Sequence, residues 1–294
     1  MPTDREKLLA ANDNLKMRQQ YEKQQQKDDF APIGEGMARM FLKAKQHVDP
    51  DEFARLMDDD YRERRRQELE EQTINKAVAE VNDTKKKHYY KCSLWSGDKP
   101  LTFSFSDWKV DLQPDPHAAK EIGKKAFGLA KQLENDNFNI AMSGDRGVGK
   151  TSLALAIMQQ LMDNGKSGMF VSTAELLNLI SRKYDDASLV TKINRIKRSM
   201  VEVDVLILDD FGTEGGMTGA IKPVHKDMQD LMYQVSNARV DFENNRSKGI
   251  TIITTNNTKS ELKKMYEAKF VDRVFPRNPD HQIAFENMKG VRNV

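Results

Sequence analysis

The sequence predicts an α/β fold: a five-stranded, mostly parallel sheet with helices on both faces, preceded by a small helical amino-terminal region. Three observations predict it. First, five short apolar runs recur, FNIAMS (138–143), GMFVS (168–172), VDVLIL (203–208), ITIITT (250–255) and QIAF (282–285), each bounded by turn residues or helical stretches. Runs this short and this apolar read as strands buried on both faces, and strands that alternate with helices pair in parallel. Second, the first run leads into SGDRGVGKTS (143–152), a glycine-rich loop that opens the apolar-periodic helix SLALAIMQQLM. Third, the run VDVLIL ends in the acid pair Asp209-Asp210. Ligands of such sheets sit beyond the carboxyl ends of the strands, so the loop and the acids are expected on one edge.

Composition sets the frame. Charged residues make up 31% of the 294 residues and hydrophobic ones 38%. No run of eighteen apolar residues occurs and MPTDREKLLAANDN lacks a signal-peptide core, so no membrane association is expected. The single cysteine, Cys92, excludes an internal disulfide and a Cys-rich zinc site, and a reducing cytoplasm is the expected location. The net charge of +2 means that any nucleic-acid surface must come from local clustering.

The chain divides into a helical, partly flexible docking region (1–82), a linker or extended segment (83–116) and the α/β domain (117–294). The first stretch is rich in Gln, Lys and Asp and reads as a polar helix or arm, interrupted at Pro32, Gly34 and Gly36. A firmer helix starts at Asp49-Pro50 with Glu52 completing a capping-box-like start, and runs to about Val81. Phe53, Leu56, Met57 and Tyr61 share one face, as do Ile74, Ala77, Val78 and Val81. Between them RERRRQELEE reads as a solvated face or as the basic middle of a partner-docking helix. KKKHYYKCSLW (85–95) reads either as a nucleic-acid track or as a strand with its aromatic face packed down. LTFSFSDWKVD (101–111) alternates as a strand or extended segment, QPDPH breaks it, and AKEIGKKAFGLAKQL is helical.

The loop from Gly144 through Asp145, Arg146, Gly147, Val148, Gly149, Lys150 and Thr151 to Ser152 satisfies G-x-x-x-x-G-K-S/T. The glycines let backbone N–H groups curl around phosphates. Lys150 adds a mobile cation, Thr151 offers its hydroxyl to Mg2+, and the following helix aims its positive end at the same anions. A nucleoside triphosphate with Mg2+ is the expected ligand. Asp209 is the candidate metal acid and Asp210 the residue that would orient water. Thr254, Thr255 and Asn256 end the ITIITT run; in a P-loop ATPase with an extra strand between the loop strand and the acidic strand, a side chain at this polar end would sense the γ-phosphate, and otherwise the run simply ends in a turn.

With these motifs in order, the chain resembles an AAA+ ATPase with little or no lid, and more narrowly the DnaC/DnaI-type replicative helicase loaders and their transposition relative IstB. The resemblance covers about residues 101–294 and rests on FSDWKVD, SGDRGVGKTSLALAI, GKSGMFVSTAELLNLI, VLILDDFGTE and TTNNTKSEL. It implies ATP hydrolysis, self-association into an ATP-dependent oligomer, and loading of a hexameric replicative helicase onto single-stranded DNA in replication initiation. The docking region 1–82 would then grip the helicase, without the zinc-binding region of DnaI-like proteins. The alternative it implies is an IstB-like transposition ATPase on duplex DNA.

By the same resemblance, Lys150, Thr151, Asp209, Asp210 and Asn256 take the roles given above. AKFVDRV is similar to the arginine-finger helix: Lys269 stands where loaders usually have Arg, and Arg273 is the expected finger. Arg292, in the closing ENMKGVRNV, matches an Arg that contacts nucleotide. Lys192, Arg195, Lys197 and Arg198 of KINRIKRSM would neutralise DNA phosphates or form a solvated face. The divergent amino-terminal part is compatible with a phage-encoded loader. A small-molecule kinase is disfavoured by the acid pair, whereas Asp210, where many AAA+ proteins have Glu, leaves a non-hydrolysing adaptor open.

Overall fold

The computed structural model describes residues 58–97, 99–216 and 221–291. The readings of the first 57 residues, including the helix start at Asp49-Pro50, lie outside the described residues, as does Arg292. The chain forms two compact units, Met1–Thr84 and Lys85–Val294.

In the first unit the described residues belong to the long helix α1 (Asp59–Lys91), whose last residues already lie in the second unit. Its arginines fold back along the helix: Arg65 pairs with Glu68 at 3.1 Å, Arg66 with Glu63 at 3.4 Å, and Arg62 with Asp59. Exposed pairs spaced in this way contribute only a few tenths of a kcal/mol each, so they add little to the stability of the helix.

The second unit is built on five parallel strands, β1 (Ile140–Ser143), β2 (Gly168–Ser172), β3 (Val205–Asp209), β6 (Ile250–Thr255) and β7 (Gln282–Ala284), in the order β2-β3-β6-β1-β7. The strands fall on the five runs expected from sequence. A short antiparallel pair, β4 (Val240–Asp241) with β5 (Arg246–Ser247), stands apart. Strand periodicity divides the core in two. Ile140, Met142, Phe170, Val205, Ile207, Ile250 and Ile252 face α2 (Pro116–Leu133) and α3 (Lys150–Asp163). Ala141, Met169, Val171, Leu206, Leu208 and Ile253 face the other way. There they meet α4 (Thr173–Arg182), α5 (Ser188–Glu202), α6 (Lys226–Ala238), α7 (Lys259–Met265) and α8 (Ala268–Val274). Each face of a fully buried strand thus meets helices, which is why the runs are continuously apolar rather than alternating.

Beyond the end of α6, Arg239 is buried, and among the described residues no carboxylate lies within ion-pair distance of it. Its guanidinium donates to the carbonyls of Met200 at 2.9 Å, Val203 at 2.6 Å and Ile250 at 2.8 Å. It ties the end of α5 and the approach to β3 to the start of β6, and burial pulls its pKa down to about 10.

Two local expectations are corrected. KKKHYYKCSLW is no strand: it is the last turns of α1, followed by a single bridge from Leu94 to Val171. Its aromatic residues pack inward, with Trp95 stacked on Phe170 at 4.4 Å and the Tyr89 hydroxyl donating to Glu202 at 3.1 Å. They are not free to stack on bases, so the nucleic-acid track fails there. Within the expected linker, LTFSFSDWKVD folds into two 3-10 turns, Phe105–Asp107 and Val110–Leu112. A Ser104/Asp107 capping box stops extension, and Trp108 anchors the segment by donating from Nε1 to the Ala119 carbonyl at 2.9 Å.

Candidate functional site

The glycine-rich loop connects β1 to α3 at the carboxyl edge of the sheet. Gly149 precedes the helix with φ 99°, a left-handed conformation open to glycine. A Cβ there would also lie 2.6 Å from Cζ3 of Trp108, so the loop rests on the indole. At the other end Gly144 (φ 149°) passes Phe285 so closely that a Cβ would meet the phenylalanine Cβ at 2.8 Å. The loop is thereby pinned between the pre-core turn and the chain leaving β7. The first N–H groups of α3 have no intrahelical acceptors, and a helix amino terminus of this kind favours an anion.

Lys150, the first residue of α3, is buried, and its ammonium donates only to neutral oxygens: Asp145 O at 2.6 Å, Asn256 Oδ1 at 2.7 Å and Gly144 O at 2.9 Å. Burial lowers its pKa, against the pull of Asp210, Asp209 and Asp145. A buried cation held by carbonyl-type oxygens alone is a place where an anionic oxygen would be stabilised.

Asp209 ends β3. Its Oδ1 accepts from Thr151 Oγ1 at 2.8 Å and from Thr254 Oγ1 at 2.7 Å. Burial pushes its pKa above the usual carboxylate value, opposed by these two hydroxyls. The next residue, Asp210, has φ 53°, and its N–H donates to the same Thr254 oxygen at 2.9 Å. One hydroxyl from β6 therefore sets both acids. Strand order explains this: β6 lies between β1 and β3, so its end faces both the loop and the acid turn. A magnesium ion commonly takes one or two protein oxygens and shares the rest of its shell with phosphates and water, and Thr151 with Asp209 offers such a pair.

The structure brings together the loop Gly144–Ser152, Asp209, Asp210 and Asn256. A cleft of 690 Å³ is lined by Lys150, Thr151, Ser152, both acids and Asn256 among others. Asp145 and Arg146 stand exposed at the tip of the loop, and Val148 is buried in the core, where only its backbone can serve a ligand. Arg273 is elsewhere. Its carbonyl accepts from Asn139, the residue before β1, at 2.9 Å, which puts it at the opposite edge of the sheet. Its guanidinium lies over the rings of Tyr233 at 4.9 Å and Phe242 at 5.8 Å, and Nη1 is buried without a hydrogen-bond partner. Lys269, one turn earlier on α8, is exposed. On α5, Lys192 and Arg195 are exposed, whereas Lys197 donates to Gln234 at 3.0 Å and Arg198 pairs with Glu202 at 2.8 Å.

Sequence reasoning missed several residues. Ser96, Leu101, Thr213 and Val291 also line the cleft, and the Val291 N–H donates to the Gly147 carbonyl at 3.2 Å. None carries a pattern of its own; they reach the loop only through the fold. The shared role of Thr254 depends on strand order and is equally silent in the sequence.

A parallel sheet with a phosphate-type loop on β1, an acid pair on β3 and a polar strand end between them defines the P-loop ATPase fold of the AAA+ class. Residues 107–277 match the family described as IstB-like ATP binding protein, and the chain belongs to that family. It is 29% identical over 181 residues to an uncharacterized protein, YdaV, of Escherichia coli K12, across 61% of this chain and 65% of that one. It is 23% identical over 181 residues to the replicative helicase loader DnaC of the same strain, across 61% of this chain and 66% of the relative. The match thus spans just under two thirds of either relative. Among solved structures, the crystal structure of DnaI aligns at TM-score 0.45 and 20% identity, over 64% of this chain and 91% of that one. The expected kinship with the DnaC and IstB group is borne out.

Proposed function

We propose that this chain hydrolyses ATP in the cleft and uses the cycle to load a hexameric replicative helicase onto single-stranded DNA in the cytoplasm, working as an ATP-dependent oligomer. The observation that carries the nucleotide part is the 2.8 Å hydrogen bond from Thr151 to Asp209, which joins the loop helix to the acidic strand at one point. Lys150 and the N–H groups of residues 144–152 hold the phosphates. Thr151 and Asp209 would hold Mg2+, which would supply positive charge against the phosphates. Asp210 orients the attacking water, and Asn256 places it against the γ-phosphate. Arg292 contacts the nucleotide from the closing stretch of the chain.

The loader part is supported by membership of a family that matches over residues 107–277 and by the alignment to DnaC over 61% of this chain. In this reading residues 1–82 dock on the helicase and Lys192 and Arg195 meet DNA phosphates. Arg273, at the sheet edge away from its own cleft, serves the nucleotide of a neighbouring copy once it leaves the Tyr233 and Phe242 rings; Lys269 is the exposed substitute. Co-purification with the cognate hexameric helicase in the presence of an ATP analogue tests this. A complex that needs the analogue is expected, and no complex with or without it overturns the loader reading.

A second reading, an IstB-like ATPase that coats duplex DNA for transposition, takes its support from the match to the family described as IstB-like ATP binding protein. A clear duplex preference together with no helicase binding selects it.

A further inference from the structure

One carboxylate, on the half-buried residue Glu214, is not used by the cleft. Glu214 follows the acids in the turn Asp209-Asp210-Phe211-Gly212-Thr213-Glu214 and takes donors from three places. Its Oε2 accepts from Thr173 Oγ1 at 2.7 Å and from the Gly212 N–H at 3.1 Å, and its Oε1 accepts from the Tyr266 hydroxyl. Thr173 opens α4, and its oxygen also lies 3.2 Å from the carbonyls of both Asp209 and Asp210. Tyr266 sits between α7 and α8, immediately before the helix that carries Lys269 and Arg273. A second tie runs in parallel: the Phe211 ring stacks on Tyr266 at 4.9 Å and meets Phe270 of α8 edge-on at 5.7 Å.

The turn cannot shift alone. Asp210 (φ 53°) and Gly212 (φ 103°) both hold left-handed conformations, and at Gly212 a Cβ would lie 2.5 Å from Asn257 Oδ1. Phe211 is clamped to β6 through its N–H, which donates to the Thr254 carbonyl at 2.8 Å. A displacement at Asp210 therefore passes along a short, closely packed turn to Glu214, and from there to Tyr266.

We infer that Glu214 is a positioning residue: with Tyr266 it fixes the acid turn to the α7–α8 junction, so that α8 responds to what the cleft holds. This rests on the nucleotide reading of the cleft. An apolar pair of similar volume would serve a mere staple at least as well, because a buried carboxylate is costly to desolvate. A carboxylate that gathers donors from α4, from its own turn and from the α7–α8 junction keeps those three parts in one geometry.

The test is amide hydrogen exchange of the full chain with and without a non-hydrolysable ATP analogue and Mg2+, for wild type, Tyr266→Phe and Glu214→Gln. In the wild type, exchange slows in 144–152 and also in 266–274. Tyr266→Phe, which preserves the ring stack, keeps the first response and reduces the second by about fivefold or more. Its kcat falls about tenfold, the worth of one hydrogen bond to a charged group, with KM within about threefold. Glu214→Gln, which can still accept one of the hydroxyls, falls between the two.

A 266–274 response that survives Tyr266→Phe overturns the inference, as does a wild type that responds only at 144–152; either leaves nucleotide binding standing. Parallel loss of both responses in Tyr266→Phe indicates general loosening and also overturns it. No response anywhere in the wild type removes the nucleotide reading and the inference together.

Discussion

The ammonium of Lys150 and the side-chain oxygen of Asn256 are 2.7 Å apart, so the first residue of α3 and the residue after β6 share one hydrogen bond across the cleft. Asn256 is thus already aimed at the place where Lys150 would meet a phosphate. A residue that places water rather than binding ground-state nucleotide affects kcat more than affinity. Asn256→Ala is expected to leave nucleotide affinity within about threefold and to lower kcat about a hundredfold. Steady-state turnover beside a fluorescent-nucleotide titration checks both numbers.

Asp210 separates an enzyme from an ATP-gated adaptor. Its N–H bond to Thr254 at 2.9 Å holds the backbone independently of its carboxylate, so Asp210→Asn leaves the turn in place. Turnover is expected to fall by about a hundredfold or more while binding persists. Negligible turnover in the wild type with nucleotide still bound would make this chain's nucleotide a switch rather than a fuel, and equal, substantial turnover in both proteins would remove Asp210 from the mechanism.

Arg239 predicts a stability effect remote from the cleft. Arg239→Met keeps most of the stem but strands the carbonyls of Met200, Val203 and Ile250 in the interior. Each lost donor to a buried group costs about 1–3 kcal/mol, so a total loss of at least about 3 kcal/mol is expected. Urea unfolding followed by circular dichroism measures it.

Tyr89 predicts a pH dependence at the alkaline end. Burial, then the neighbouring charge of Glu202 and the hydrogen bond to it, push its pKa from 10.0 to about 12. The folded state holds this proton more tightly than the unfolded chain does. The associated stability is fully present below pH 10 and is lost as the pH rises from 10 to about 12. Tyr89→Phe is expected to lower stability at neutral pH and to flatten the decline in that window, read as the urea midpoint against pH.

Much of this architecture is legible in the sequence because the physics behind it is local. The five apolar runs are strands since a strand covered on both faces has no polar position to spare, and the glycine loop needs its spacing to curl. Asn256 could be singled out because a polar cluster closes an otherwise apolar run. Other features arise only when distant segments meet. Trp108 under Gly149, Thr254 between the two acids, and Val291 against Gly147 are set by strand order and by how the chain leaves β7. The helix-versus-strand error at 85–95 has the same origin. HYYKC mixes aromatic and basic residues in a way that suits either period, and packing on Phe170 and Glu202 decides it. Arg273 could be read as basic and helical, but not as stacked on Tyr233, which is more than thirty residues away in sequence.

Titrating ATP with Mg2+ into the wild type and into Lys150→Ala by calorimetry tests the central claim most directly. The account predicts one site per chain in the wild type and a loss of affinity of about a hundredfold or more in the variant, as expected for removing two charge-assisted hydrogen bonds to phosphate. Equal affinity in the two proteins, with both folded, would contradict it.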